Sequence, residues 1–420
     1  MFLTYQIILS ILVIFSPLII IVRILKSKEH KKRYIEKFSV PTKKRYHGNL
    51  IWFHGASVGE ILSVIPLIKK YENNNFISQI LLTSSTLSSS KIIKKFKLKK
   101  VTHQFYPVDH NYFTEKFLQY WKPSLAIFIE SEIWPSMFKK IKYKKIPLVL
   151  LNARLTKRTF NRWMKISSFS KSVFKNITMA YPQNLETKKY LKILKTKNIN
   201  HLGNLKFIEN HFNLDDVNKT LKNKFKGRKV WIASSTHQGE ELFCAKAHIE
   251  LNQRVKNLIT IIIPRHVHRS KNIIAELQSL NLKVSYHSSS PRNLKNTDVY
   301  LVDTFGETKK FHKIGSSVFL GGSIIQRGGQ NPLEAARFGA KILHGPNISN
   351  FNEVYKLLNF FNVSKKVYTP KELASSIVFK KNKIVGKRIK NIGENILKKT
   401  IKELDRIISN EIKKTKVLGR

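Results

Sequence analysis

The residues best spaced to do chemistry are His54-Gly55-Ala56-Ser57-Val58-Gly59-Glu60. They follow a short apolar run, Leu50–Phe53, and precede a helical pattern from Ile61 to Tyr71. A glycine turn between strand and helix presents the Glu60 carboxylate at a helix start, beside whatever binds at the sheet edge. An α/β enzyme holds a general base in such a place. The same spacing has a purely structural use, because Ser57-x-x-Glu60 is also a capping box.

Further polar groups close other apolar runs. Ile129-Glu130-Ser131-Glu132-Ile133-Trp134-Pro135 carries two carboxylates at i and i+2, which an extended segment would place on one side. They suit either chemistry or the holding of neighbouring loops through backbone N–H groups. Asn152-Ala153-Arg154-Leu155 and Gly203-Asn204-Leu205-Lys206-Phe207 add a guanidinium and an ammonium.

In the second half, Ser234–Glu241, Asp303-Thr304-Phe305-Gly306-Glu307 and Gly321-Gly322-Ser323 each follow an apolar run. Gly328-Gly329-Gln330-Asn331-Pro332-Leu333-Glu334 comes next, with Asn331 as expected N-cap, Pro332 at the first helical position and Glu334 at the third. Helix starts of this kind expose backbone N–H groups that suit phosphate, and glycine permits close approach. Glu334 is placed to accept from ribose hydroxyls or to cap its helix. Pro264-Arg265-His266 adds a planar, permanently charged guanidinium suited to phosphate, and an imidazole suited to structural hydrogen bonding. No His/Asp/Glu spacing demands a metal.

Elements that alternate strand and helix must position these groups. The strand-like runs are Leu50–Phe53, Gln79–Thr83, Leu125–Ile129, Pro147–Leu151 and Ile177–Tyr181, then Lys229–Ala233, Leu258–Ile263, Val299–Val302, Ser317–Leu320 and Lys341–Leu343. Such alternation predicts parallel sheets covered on both faces. A polar zone, Glu209–Gly227, marks a junction between two similar halves. The expected fold class is α/β, with two Rossmann-like domains facing a cleft, at 23–208 and 209–380. A basic segment, 381–420, follows. Within it Ile389, Ile392, Ile396, Ile401, Leu404, Ile408 and Ile412 recur at helical spacing, as in an amphipathic helix packed on the domains.

The 420 residues suffice for two domains. With 77 Lys+Arg against 26 Asp+Glu, the formal net charge is +51, which favours an anionic partner, nucleic acid or lipid. Heavy use of Lys, Ile and Asn throughout also fits the coding bias of an AT-rich genome. The single cysteine, Cys244, excludes an intrachain disulfide and a cysteine-built zinc site. Between Phe2 and Val22 there is no charged residue, enough length for one bilayer crossing. Arg23, Lys26, Lys28, Lys31, Lys32 and Arg33 follow, so residues 1–22 read as a transmembrane signal anchor with the bulk on the cytoplasmic face. Lys91–Lys100 and Lys157–Lys175 are further candidates for contact with anionic lipid. The second interleaves Phe160, Trp163, Phe169 and Phe174 with Arg158, Arg162 and Lys165.

In this order, the motifs His54–Glu60, Glu130–Pro135, Asn152–Leu155, Gly203–Phe207, Ser235–Glu241, Pro264–His266, Thr304–Glu307, Gly321–Ser323 and Gly329–Glu334 resemble the 3-deoxy-D-manno-octulosonic acid (Kdo) transferase family. The resemblance implies a GT-B glycosyltransferase with the acceptor on the first domain and CMP-Kdo on the second. It implies transfer of Kdo to the lipid A precursor (lipid IVA) at the inner membrane of a Gram-negative cell. It places the general base at Glu60 and charge-stabilising groups at Glu130 and Lys206. It places CMP contacts at Pro264, Arg265, Phe305, Gly306, Glu307, Asn331, Pro332, Leu333 and Glu334. No metal and no further cofactor is expected, and no nucleic-acid partner. The chain departs from the family pattern at Ala56, Gln238 and Gln326-Arg327, and it lacks the usual Pro-Glu pair after His266. Two other readings remain: a membrane-associated GT-B enzyme with a different nucleotide sugar and lipid acceptor, and a membrane-tethered nucleic-acid-binding protein.

Overall fold

Among the residues that the computed structural model describes, 1–208, 219–291 and 293–417, thirteen strands form two parallel sheets. The first holds β1 (Leu50–His54), β2 (Gln79–Ser84), β3 (Val101–Phe105), β4 (Leu125–Ile129), β5 (Leu148–Ala153) and β6 (Met179–Pro182), in the order β3-β2-β1-β4-β5-β6. The second holds β7 (Lys229–Thr236), β8 (Leu258–Pro264), β9 (Val284–Tyr286), β10 (Val299–Leu301), β11 (Ser317–Leu320), β12 (Lys341–His344) and β13 (Ser364–Lys366), in the order β13-β12-β11-β7-β8-β10-β9. The ten apolar runs are all strands. The three the pattern did not mark, β3, β9 and β13, lie at sheet edges, where only one neighbour pairs and polar residues such as Thr102, His103, Ser285 and Lys365 are tolerated.

The chain divides into two compact units, one of Met1–Asn210 with Gly393–Arg420, the other of His211–Ile392. Residues 209–218, within the junction expected at Glu209–Gly227, lie outside the described residues. In the first unit Trp52, Phe117, Trp121, Phe128 and Phe138 fill the core, and β1, β2, β4 and β5 are buried along their whole length. Helices cover both faces of such a sheet, so the strands read as continuous apolar runs. The second unit has its own core around Trp231, Ile262, Phe319 and Leu343.

The C-terminal segment is one long helix, Lys383–Val417. Ile389, Ile396, Leu404 and Ile408 are buried, so its apolar stripe packs inward; the side chain of Ile412 lies outside those described.

The N-terminal run does not form the single span expected for residues 1–22. It forms α1 (Phe2–Ile14) and α2 (Ser16–Leu25), bent by 54° between them. Among the described residues, no single helix is long and apolar enough to cross a membrane. Pro17 explains the break: it has no N–H to donate, and in a continuous helix its ring would clash with the carbonyl of residue 13. The Ser16 hydroxyl donates to the Val13 carbonyl at 2.6 Å instead.

The aromatics expected to meet lipid at Lys157–Lys175 also differ. Phe169 and Phe174 are buried in the first core, Phe160 stacks on Tyr190 at 4.2 Å, and Trp163 meets Phe174 edge-on at 5.5 Å. Their spacing serves the inner face of the helices Lys157–Met164 and Ser167–Phe174.

Candidate functional site

In an open parallel sheet, ligands bind at the carboxyl ends of the strands, where the order reverses. In the first sheet that point lies between β1 and β4. The motif after β1 supplies His54 and Glu60 there; the motif after β4 supplies Glu130 and Glu132.

Glu60 sits in the first turn of α3 (Val58–Glu72), and the capping box is formed. The Ser57 hydroxyl accepts from the Glu60 N–H at 3.3 Å, and Glu60 Oε2 accepts from the N–H groups of Ala56 and Ser57 at 2.6 and 3.2 Å. Capping thus occupies one carboxylate oxygen and fixes the rotamer, while Oε1 has no protein partner among the described residues. Burial, then the nearby Glu132 carboxylate and more weakly Glu130, push the Glu60 pKa up to about 7, against the pull of the two N–H donors. A carboxylate tuned in this way can gain and lose a proton near neutrality.

The two carboxylates after β4 do not lie along an extended segment. Glu130 has φ +56°, a left-handed turn, which sends the pair to different partners. Glu130 Oε1 meets Lys206 Nζ at 3.0 Å and accepts a long contact of 3.5 Å from Asn152 Nδ2. Asn152, itself at φ +53° where β5 bulges, accepts from the Leu205 N–H at 3.0 Å. The loops after β4 and β5 and the Gly203–Phe207 turn are thereby joined around one ion pair. The Arg154 N–H donates to the Glu130 carbonyl at 3.2 Å.

Glu132 is a residue whose part sequence reasoning missed. Its Oε2 accepts from Trp134 Nε1 at 3.0 Å and lies 3.1 Å from His54 Nε2. His54 is fully buried and stacked on Tyr106 at 3.9 Å, and its Nδ1 lies 2.9 Å from the Thr83 hydroxyl. Burial holds its pKa below the usual range, so the contact with Glu132 is a hydrogen bond from a neutral ring, not an ion pair. The signal available in the sequence was the Glu-x-Glu-x-Trp spacing.

In the second sheet, order reverses between β7 and β11. The loops named from the sequence leave carboxyl ends of this sheet: Ser235–Glu241 at and beyond the end of β7, Pro264 and Arg265 at the end of β8, Phe305–Glu307 after β10, and Gly321–Ser323 and Gly328–Glu334 after β11. Arg265 is exposed, its N–H donating to the Thr236 carbonyl at 2.9 Å. Phe305 is exposed, Gly306 has φ +95°, and Glu307 pairs with Lys310 at 3.0 Å.

The helix expected to start at Pro332 is a single turn, Leu333–Ala336, beginning one residue later. Asn331 Oδ1 still accepts from the Leu333 N–H at 3.1 Å, a turn that closes before the helix rather than an N-cap within it. Pro332 and Leu333 are buried, and Glu334 is half-buried.

Glu240, also unassigned from the sequence, clasps the reversal point. Fully buried, it accepts from His237 N at 2.9 Å and Gly322 N at 2.7 Å through one oxygen. The other oxygen accepts from Ser323 N and Ile324 N, both at 3.0 Å. Gly321 lets these loops meet: a Cβ there would lie 2.3 Å from the Ser235 carbonyl oxygen and 2.6 Å from the Thr236 Cα. Gly321→Ala is expected to destabilise the second unit by about 1–3 kcal/mol, because both clashing atoms are backbone. A thermal melt checks it; an unchanged midpoint would show that the loops part without cost.

Among the described residues, no group of three or more His, Cys, Asp or Glu is placed to hold a metal ion.

Residues 31–209 match the family model of the 3-deoxy-D-manno-octulosonic-acid transferase (kdotransferase). A 3-deoxy-D-manno-octulosonic acid transferase of Rickettsia bellii is 33% identical over 382 residues, covering 90% of this chain and 91% of that one. Its counterpart in Haemophilus influenzae is 30% identical over 365 residues, covering 83% and 84%. The crystal structure of a glycosyltransferase from Rickettsia africae shares the fold, with TM-score 0.55 at 11% identity over 87% of this chain and 100% of that one. With one-third identity along nine-tenths of its length to such an enzyme, the chain belongs to the 3-deoxy-D-manno-octulosonic-acid transferase family and is a glycosyltransferase.

Proposed function

We propose that this enzyme transfers Kdo from CMP-Kdo to the lipid A precursor lipid IVA, with inversion at the anomeric carbon, on the cytoplasmic face of the inner membrane. The observation that carries the reading is Glu60, a carboxylate at the reversal point of the first sheet whose pKa is pushed up to about 7. A sugar hydroxyl gives its proton to Glu60 Oε1 as its oxygen bonds to the anomeric carbon of Kdo. The bond from that carbon to the CMP phosphate oxygen breaks on the opposite face, and CMP carries away the electron pair. The Glu130–Lys206 pair supplies fixed charge beside the reacting centre. Arg265, with the N–H groups of the loops that include Phe305–Glu307 and Asn331–Glu334, binds the CMP moiety and steadies its departing phosphate. Pro264, Pro332 and Leu333 shape that pocket. These protein groups provide the charge stabilisation, so the proposal needs no metal and no nucleic-acid partner.

The test is transfer from freshly generated CMP-Kdo to tetra-acylated lipid A precursor in detergent, with EDTA present and UDP-sugars as competing donors. Kdo-bearing product with α/β stereochemistry opposite to the donor supports the donor, the acceptor, inversion and turnover without a metal. Turnover of a UDP-sugar, or of a different acceptor only, would replace the substrates and leave the family membership intact.

Glu132 is expected to tune the base. Removing its charge in Glu132→Gln takes away a like charge beside Glu60, so the Glu60 pKa falls and the acidic limb of kcat/KM moves to lower pH. Burial remains, so the limb stays above that of an ordinary carboxylate. A limb that does not move in a pH series would sever this electrostatic link.

A further inference from the structure

The bent pair α1–α2 is built into the first unit rather than hung from it. At its start, Lys139 lies over the Phe2 ring at 4.1 Å, and Tyr5 packs on Phe169 at 6.0 Å. Three polar contacts then run along α1. The Tyr5 hydroxyl donates to Asp109 Oδ2 at 2.8 Å, Gln6 Nε2 donates to the Ser136 hydroxyl at 2.6 Å, and the Ser10 hydroxyl meets His110 Nε2 at 3.2 Å. Gln6 Oε1 also accepts from the Asn111 N–H at 3.0 Å. Gln6 and Asp109 are buried, and Asp109 further accepts from the N–H groups of Ser136 and Met137. At the far end, Arg23 donates to Glu29 at 3.1 Å, and Glu29 also meets Lys37. Lys37 lies in a short turn, Arg33–Phe38, that is tied to β3 through Glu36 and the Phe105 N–H.

Both ends of the pair are thus held on one globular unit. Between them, twelve large apolar side chains from Leu3 to Leu25 are exposed, among them Leu3 (73%), Ile14 (72%), Leu18 (64%) and Leu25 (78%). A patch of this kind demands cover. Helices of 13 and 10 residues reach about 20 and 15 Å, well short of a hydrocarbon core of about 30 Å. Straightened end to end they would reach across. Straightening, however, would pull Tyr5, Gln6 and Ser10 off the unit and strip partners from the buried Asp109 and Gln6.

We propose that α1 and α2 form a wedge that enters a single leaflet of an anionic bilayer, with residue 2 on the same side of the membrane as both units. Charge selects the occupant. No charged residue interrupts the apolar face from Phe2 to Val22, while Arg23, Lys26, Lys28, Lys31 and Lys32 follow it at once, and the chain carries +51 overall. Apolar side chains with cations beside them suit the acyl region and anionic headgroups of a bilayer, and the contacts of Tyr5, Gln6 and Ser10 with the first unit keep the pair from crossing it. The inference rests on the membrane part of the function proposed above. It changes the topology from a single crossing to a docked wedge, which holds the first unit at a set height over the lipid.

Labelling tests it, because the only cysteine, Cys244, is buried. One cysteine is added ahead of Met1 on a short Gly-Ser extension; a second chain carries Ser290→Cys, at an exposed loop of the second unit, as the reference. In sealed inner-membrane vesicles of known sidedness, a membrane-impermeant maleimide should label both from the same side. Labelling from opposite faces would establish a single crossing and overturn the wedge while leaving the membrane reading in place. Purified protein should also sediment with phosphatidylglycerol-containing vesicles and remain bound in high salt, and Ile14→Glu with Leu18→Glu should move it to the supernatant. Failure of the unaltered chain to bind vesicles, or a stable dimer that buries the patch instead, would overturn both the wedge and the membrane reading.

Discussion

Glu60→Gln is expected to lower turnover by about 10²–10⁴-fold, the range that a positioned general base supplies. Glutamine keeps the size and one acceptor oxygen, so the capping bonds to Ala56 and Ser57 survive and α3 stays in register. What is lost is the capacity to take a proton. Binding of CMP should be unchanged, because the groups proposed to hold it belong to the loops of the second sheet. The pH profile adds a second readout. The base works when ionised, so kcat/KM should rise with pH to a plateau through a limb at about 7, not at the usual value near 4.5. The residual activity of the variant should lack that limb. For stability the sign is opposite: the folded pKa is raised, so the Glu60 contribution is fully present below about 4.5 and is lost as pH climbs through about 7. Near-full turnover by Glu60→Gln would leave the carboxylate as a cap and nothing more.

Glu240→Ala should have the largest effect on stability. Its carboxylate is the acceptor for four backbone N–H groups, from His237, Gly322, Ser323 and Ile324, all at the point where the second sheet reverses. Each buried donor left without a partner costs about 1–3 kcal/mol, so even with water entering the gap a loss on the order of 4 kcal/mol is expected. For a unit of this size that corresponds to a fall of roughly 10 °C in its thermal midpoint. Donor binding should weaken as well, since the loops after β7 and β11 lose their common anchor. Calorimetry on the full chain checks the first effect and CMP titration the second. A midpoint within experimental scatter of the unaltered chain would mean that the amides find other acceptors.

Much of this site was legible in the residues. The capping box of Ser57-x-x-Glu60 is formed, and it leaves room for the proposed base: one oxygen caps while the other has no protein partner among the described residues. The loops at 264–265, 305–307 and 321–323 could be assigned to one edge because parallel strands put every carboxyl end on the same side. The fate of Glu130 and Glu132 was not legible. Their i, i+2 spacing implied a shared direction, yet a left-handed residue at 130 turns the chain and separates them. Local spacing cannot report a backbone conformation that distant partners stabilise, here Lys206 and Asn152 for one carboxylate and His54 for the other. The aromatics of 157–175 misled for a related reason. Periodicity shows that a helix has an apolar face, and only the neighbours decide whether core or lipid covers it.

By itself the sequence determined the α/β class, ten of the thirteen described strands, the family and the residues available for chemistry. These depend on composition, alternation and short-range turns, which are local properties of the chain. Tertiary structure alone decided that Glu132 stands beside Glu60 and raises its pKa, that Glu240 accepts from four backbone amides, and that Phe2–Leu25 folds back on its own unit instead of running straight. Each of those outcomes is an electrostatic or packing relation between residues tens to hundreds of positions apart. Pro17 broke the helix, but Asp109, Ser136 and His110 chose where the first half of it would lie.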